Sequence, residues 1–221
     1  MPVDLRVYGI VDPEHTGGRS LAELAHLEAK GGATLIQLRD KLSETRQFVD
    51  NARAVKAALD PFGVPLLIND RIDVALAVGA AGVHIGQTDM TVEDARRLLP
   101  PSAIVGLTVN KLHLAEEAPL SLIDYAGVGG VYGTASKQQK NSPIGPEGLK
   151  AITDILRKRW RGFPVVGIAG INASNAAAVI DAGADGVSVI AALSLAPDPE
   201  AATRELRAVI DKTLERHRGR A

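Results

Sequence analysis

About eight times along this chain, a short run rich in β-branched residues gives way to a longer stretch whose apolar residues recur at helical spacing. Alternation of that kind implies strand-helix units, and strand-helix units build parallel sheets. The strands are expected over 6–11, 34–39, 65–69, 82–85, 104–108, 125–128, 165–168 and 186–189. The helices fall near 21–30, 44–59, 72–78, 92–99, 111–117, 146–159, 175–181 and 199–213. One phrase punctuates the series. Gly31-Gly32-Ala33, Gly79-Ala80-Ala81-Gly82 and Ala182-Gly183-Ala184-Asp185-Gly186 each end a helix and turn the chain into the next strand. Such repetition favours a closed (β/α)8 TIM barrel over a mixed sheet. Pro146 and Pro199 suit first helical turns, and Ser43 or Thr91 can cap a helix by accepting its free amides.

The chain of 221 residues is read as one barrel domain over 1–221, with a basic tail expected to fray from Arg216. Its net charge is -1 with both signs interspersed, and only 3% of residues are aromatic, so neither the charge footprint nor the stacking platform of a nucleic-acid binder is present. There is no cysteine, which removes disulfides, thiolate metal sites and thiol nucleophiles. The N-terminus lacks a basic, apolar and small-residue export signal. The longest apolar stretch, 74–83, is well short of the ~18 residues a membrane span needs. A cytoplasmic protein is the expectation. Barrels often pair, and a homo-oligomer is compatible with the sequence, although no exposed apolar stripe marks an interface.

A parallel barrel gathers the C-terminal ends of its strands at one mouth, so residues distant in sequence can share a site there. The polar clusters of this chain sit where the apolar runs stop. Gln37, Arg39 and Lys41 alternate at the end of the second strand, so period two sends them to one side, toward the barrel interior or its mouth. An arginine and a lysine beside a glutamine suit phosphate oxygens. Asp40, facing the other way, is read as structural. Asn69-Asp70 and Asp89 follow neighbouring strands, and together their two carboxylates form a hard-oxygen site of the kind magnesium uses, although each alone also reads as a helix cap or a turn residue.

His84 lies inside the fourth strand and is read first as a packing residue. The other histidines have no partner at metal-ligand spacing, and no serine sits in a nucleophile elbow. Thr134, Ser136 and Lys137 open a polar segment over 135–145, longer than most connections and a candidate lid. The Gly167 to Asn172 turn and Val189-Ile190-Ala191 follow strands seven and eight, where barrels commonly bind a phosphate through backbone amides, and Gly170 allows the close approach this needs.

These motifs together resemble the thiamine phosphate synthase family from about Tyr8 to about Val209. The resemblance is carried by Gln37-Leu38-Arg39-Asp40-Lys41, Leu67-Ile68-Asn69-Asp70-Arg71, the Gly82 to Asp89 segment, Thr134-Ala135-Ser136-Lys137 and Ala169-Gly170-Ile171, all in family order. It implies that Gln37, Leu38, Arg39, Asp40, Lys41 and Asn69 bind a hydroxymethylpyrimidine diphosphate, that Asp70 and Asp89 hold Mg2+, and that Lys137 also contacts the diphosphate. Thr108 would stand at a family serine position near that substrate. Thr134, Ala135, Ser136, Gly170, Ile190 and Ala191 would bind a thiazole phosphate.

The chain departs from the family pattern at Thr108 for serine, Ser136 for threonine, Ala169 for glycine, Ala191 for serine, Gly130 for proline and Tyr132 for phenylalanine. Two rival readings use the same barrel. One is a thiazole tautomerase, which needs neither diphosphate nor magnesium; the other is a non-catalytic barrel that senses thiamine phosphates. The complete Gln-x-Arg-x-Lys set with both aspartates favours the synthase.

Overall fold

The computed structural model describes residues 3–134, 136 and 142–219. Eight strands follow in chain order: β1 Val7–Val11, β2 Leu35–Leu38, β3 Leu66–Asn69, β4 Gly82–Ile85, β5 Ile104–Thr108, β6 Tyr125–Gly129, β7 Val165–Ile168 and β8 Gly186–Val189. Each pairs in parallel with the next, and β8 closes on β1, so the sheet is a complete barrel. Around it lie α1 Leu21–Gly31, α2 Thr45–Leu59, α3 Ile72–Val78, α4 Val92–Leu98, α5 Leu112–Glu117, α6 Gly145–Arg159, α7 Ala176–Asp181, α8 Ala191–Ser194 and α9 Pro199–Arg218.

The hydrophobic alternation of the strands explains two separate packed layers. Outward-facing Ile36, Leu38, Ile68, Val83, Ile85, Val105, Val128 and Val187 meet helix residues such as Leu24, Phe48, Val55, Leu149 and Ile210 in one cluster. Each such side chain removed from water contributes about 1.5–3 kcal/mol before entropy is counted. Inside the barrel a smaller cluster holds Leu5, Tyr8, Ile10, Leu35, Leu67, Tyr125 and Val166. Tyr125 fits only because its neighbour on β5 is glycine: a Cβ at Gly106 would lie 2.1 Å from the ring Cζ.

At the end away from the mouth, the barrel repeats one device. The residue before each even-numbered strand donates its amide to the preceding strand, as in Thr34 to Val7, Ala81 to Leu66, Asp124 to Val105 and Asp185 to Val165, each at 2.8 Å. Three of those residues add a side-chain bond. Thr34 Oγ1 accepts from Val7 N at 3.1 Å, Asp124 Oδ2 from Val105 N at 2.8 Å and Asp185 Oδ2 from Val165 N at 2.8 Å. Arg96 and Arg157 then bind Asp124 and Asp185 from the helix layer at 2.6 and 2.9 Å. At the β3–β4 pair the position is Ala81, which has no side-chain bond to offer.

Glu28 is a second feature of the outer layer. It faces β1 from α1, fully buried, and a Cβ at Gly9 would lie 2.1 Å from its Oε2. Ser194, at the end of α8, lies 3.1 Å from Oε1, while Oε2 has no hydrogen-bond partner among the described residues. Burial pushes this carboxyl up to about 8.

Several expected details differ. Thr91 does cap α4, accepting from Asp94 N at 3.2 Å, but Ser43 does not cap α2. The N-cap position is Glu44, without a side-chain cap bond, and Asp40 shapes the turn before it: its Oδ1 accepts from the amides of Leu42 and Ser43 at 3.1 and 2.9 Å. Helix α9 runs through Arg218, and Arg216 and His217 both bind Asp181 of α7, at 2.6 and 2.7 Å. The segment after β1 begins with a 3-10 turn over Pro13–His15. Among the described residues, no helix is long and apolar enough to cross a membrane.

Candidate active site

One cavity of about 500 Å³ opens at the C-terminal ends of the strands. Its lining draws on β1, β2, β3, β4, β5, β7 and β8 through Ile10, Gln37, Arg39, Asn69, His84, Thr108, Ile168 and Ser188, and on the loops after β6, β7 and β8. Gln37 and Arg39 enter it from the same side of β2, as period two requires, and Leu38 between them is buried in the outer core. The Asp40 carboxylate is fully occupied by the turn before α2 and by Asn51 at 3.2 Å. Although burial opposes it, those bonds hold Asp40 below the usual carboxylate range.

Arg39 is anchored by an ion pair that the sequence did not disclose. Its Nη1 binds Oδ2 of Asp12, a residue only 1% exposed, and Glu14 stands 3.9 Å away. The other oxygen of Asp12 accepts from Glu14 N at 2.9 Å and caps the 3-10 turn. The guanidinium is therefore set by a carboxylate locked in its own hydrogen bonds. The Asp-Pro pair directly after a strand was the one available signal, and it reads equally well as an ordinary turn.

Asp70 and Asp89 meet at the neighbouring rim. Asp70 adopts a left-handed backbone, φ 60°, which is uncommon for a residue with a side chain. Its Oδ2 receives Asn69 Nδ2 at 2.7 Å and the ammonium of Lys41. Asp89, whose Oδ2 accepts from Gly86 N at 2.7 Å, presents its carboxylate to that of Asp70. Burial, and after it the facing Asp89, push the Asp70 carboxyl above its usual range even though Lys41 pulls the other way. Two facing carboxylates with one cation, on Asp70, are an arrangement that a divalent ion relieves. Among the described residues no third acidic or histidine ligand joins them, so the remaining positions of such an ion would fall to water and substrate oxygens.

The cavity floor is more polar than the sequence implied. His84, read as a packing residue, bonds Tyr125 through Nδ1 and Thr108 through Nε2, each at 2.9 Å, and it lines the cavity. Tyr8 and Tyr125 were read only as strand residues. Their hydroxyls meet at 2.9 Å in the barrel centre.

Opposite, the turn after β7 has two successive left-handed residues, Ala169 at φ 83° and Gly170 at φ 65°. A side chain other than glycine in that region costs about 1–2 kcal/mol, and the departure of Ala169 from the family glycine falls on such a position. Gly130 at φ 79° likewise has a backbone that proline, fixed near -65°, cannot adopt. A Cβ at Gly170 would lie 2.4 Å from the Gly133 carbonyl oxygen, so the loops after β6 and β7 touch backbone to backbone. Thr134, Ser136, Gly170, Ile190 and Ala191 all line this side. Ala135 and Lys137, and most of the expected lid, lie outside the described residues.

The fold and mouth define a single-domain parallel-barrel enzyme with paired carboxylates, clustered cations and strained backbone turns on one rim. Its relatives carry the matter further. A family profile described as "Thiamine monophosphate synthase" matches residues 7–193, and the chain belongs to that family. A protein of Agrobacterium fabrum named "Thiamine-phosphate synthase" is 46% identical over 96% of this chain and 97% of its own. One of the same name from Albidiferax ferrireducens is 46% identical over 94% of this chain and 92% of its own. Among solved structures, thiamine phosphate pyrophosphorylase from Pyrococcus furiosus superposes with a TM-score of 0.83 at 35% identity, covering 96% of this chain and 98% of that one.

Proposed function

We propose that the protein joins 4-amino-2-methyl-5-hydroxymethylpyrimidine diphosphate to hydroxyethylthiazole phosphate, giving thiamine monophosphate and pyrophosphate. The observation that carries this reading is the meeting of Asp70 and Asp89 beside Lys41, at the rim of the cavity that Arg39 lines, in a chain of this family. In the reaction, the bond between the pyrimidinylmethyl carbon and the diphosphate oxygen breaks, and its electron pair leaves with pyrophosphate. The thiazole ring nitrogen then supplies the lone pair for the new carbon-nitrogen bond. No proton has to move, so the reaction asks no general base of the site.

Asp70 and Asp89 would hold a magnesium ion, which when bound neutralises charge building on the departing pyrophosphate. Arg39, Lys41 and Lys137 add positive charge to the same oxygens, and Gln37, Asn69 and Thr108 orient the pyrimidine end. Lys41, which here binds Asp70, would be released to the diphosphate were Asp70 engaged in holding magnesium. The backbone groups of Ala135, Gly170, Ile190 and Ala191, with the hydroxyls of Thr134 and Ser136, hold the thiazole phosphate on the far wall. A protein with no cysteine and this chemistry is placed in the cytoplasm.

The test is magnesium-dependent pyrophosphate release, run with each substrate omitted in turn. Release should require both substrates and the metal; a protein that isomerises a thiazole phosphate without releasing pyrophosphate refutes the reading. Removing one positioned charge typically costs about 3 kcal/mol of barrier, roughly a hundredfold in rate. Asp89→Ala should therefore lose at least that factor at low magnesium while remaining folded by circular dichroism.

A further inference from the structure

Five side chains from five strands form one continuous hydrogen-bonded chain across the barrel floor. Gln37 Nε2 donates to the Tyr8 hydroxyl, Tyr8 and Tyr125 hydroxyls meet at 2.9 Å, Tyr125 meets His84 Nδ1 at 2.9 Å, and His84 Nε2 meets Thr108 Oγ1 at 2.9 Å. The rings are fixed as well. Tyr8 and Tyr125 pack edge to face with centroids 5.9 Å apart, and His84 stacks on Tyr125 at 5.6 Å. Burial raises both phenols well above their ordinary range, so each keeps its hydrogen.

Counting those hydrogens gives the chain a direction. The Tyr8 oxygen already accepts from Gln37, so its own hydrogen goes to Tyr125, the only other group bonded to it among the described residues. Tyr125 then spends its hydrogen on His84 Nδ1. An imidazole that accepts at Nδ1 carries its hydrogen on Nε2 and gives it to Thr108 Oγ1. Both ends of the chain line the cavity.

We propose that this floor is a polarity-setting device that presents Gln37 Oε1 as a fixed acceptor and the Thr108 hydroxyl as a fixed donor, so that Tyr8, Tyr125 and His84 are positioning residues selecting an amino-bearing pyrimidine over its oxo analogue. The proposal rests on the synthase reading for its ligand. An exocyclic amine brings an N–H to the Gln37 acceptor, whereas an oxo group sets lone pair against lone pair. A further observation points to a polar ring in this place. Ser188, the register partner of Tyr8 on β8, is 1% exposed, lines the same cavity, and has a hydroxyl with no hydrogen-bond partner among the described residues. A ring nitrogen would satisfy it.

The experiment combines histidine nitrogen-15 NMR of the protein without substrates and kinetics on the amino and oxo pyrimidine diphosphates. His84, assigned by comparison with His84→Asn, should show the Nε2–H tautomer; an Nδ1–H tautomer means the chain runs the other way and overturns the proposal. Tyr125→Phe should leave a mixture of tautomers. Tyr8→Phe frees the Gln37 amide to turn, so the amino-over-oxo ratio in kcat/KM should fall about tenfold, one net hydrogen bond, and the His84 tautomer should lose its bias because Tyr125 no longer receives a hydrogen from Tyr8. An unchanged ratio in Tyr8→Phe also overturns it. A native protein that turns over neither pyrimidine refutes the synthase reading instead, while the tautomer still decides the direction of the chain.

Discussion

Replacing Glu28 by glutamine should change how stability depends on pH, because this carboxyl titrates near 8 in the folded chain and at its ordinary 4.5 when unfolded. Below pH 4.5 both states hold the proton and the group is neutral to the balance. Between 4.5 and 8 the unfolded chain releases a proton that the folded chain keeps, so native stability is lost as pH rises, by about 1.4 kcal/mol per unit. The loss reaches roughly 3 kcal/mol at pH 7 and levels off above pH 8. Glutamine cannot ionise. Its carbonyl can still accept from Ser194, and its amide next to Gly9 adds a cost that does not vary with pH. The difference in unfolding free energy, Glu28→Gln minus native, should therefore rise by roughly 3 kcal/mol between pH 4.5 and pH 7. The assay is urea unfolding of both proteins across pH 4.5 to 8.5, followed by circular dichroism and by the fluorescence of Trp160. Every other titrating group is shared and cancels in the difference. Parallel stability curves would refute the assignment of a neutral buried carboxyl.

Two further outcomes follow from the mouth. Asp12→Ala removes the buried carboxylate that holds Arg39, and kcat/KM for the diphosphate substrate should fall about tenfold, one charged hydrogen bond's worth, together with a loss of stability from the unpaired guanidinium and the uncapped turn; steady-state kinetics and urea unfolding check it. Gly170→Ala puts a methyl group 2.4 Å from a carbonyl oxygen at a positive φ, so the turn must move. KM for the thiazole phosphate should rise at least tenfold while KM for the pyrimidine diphosphate stays within about twofold, as measured by varying each substrate separately.

The barrel was legible because its strands are short, apolar and bounded by glycine-rich turns, and all eight lie within a residue or so of the expected spans. The grouping of Gln37, Arg39 and Asn69 at one cavity was legible for the same reason, through period two and parallel topology, whereas Thr108 was reached only through the family resemblance. What escaped has a common physical cause. Asp12, Tyr8, Tyr125 and Glu28 act through partners 27 to 166 residues away, and local pattern carries no trace of those pairings. Glu28 in particular sits on a helix among charged neighbours, where a carboxylate ordinarily faces water. His84 was placed correctly in its strand, but its two polar partners make it more than packing. Ser43 caps nothing because its own amide is held by Asp40 in the turn before α2, and the N-cap position falls to Glu44, which makes no side-chain cap bond.

The roots of the strands show how unevenly the molecule is tied. Three quarters of the ring are fastened below by a threonine or an aspartate reaching across to the preceding strand, and the quarter made of β3 and β4 has only Ala81 there. That same quarter delivers Asn69, Asp70, His84 and Asp89 to the rim. The part of the hoop that carries the paired carboxylates is thus joined at its root by a backbone bond alone.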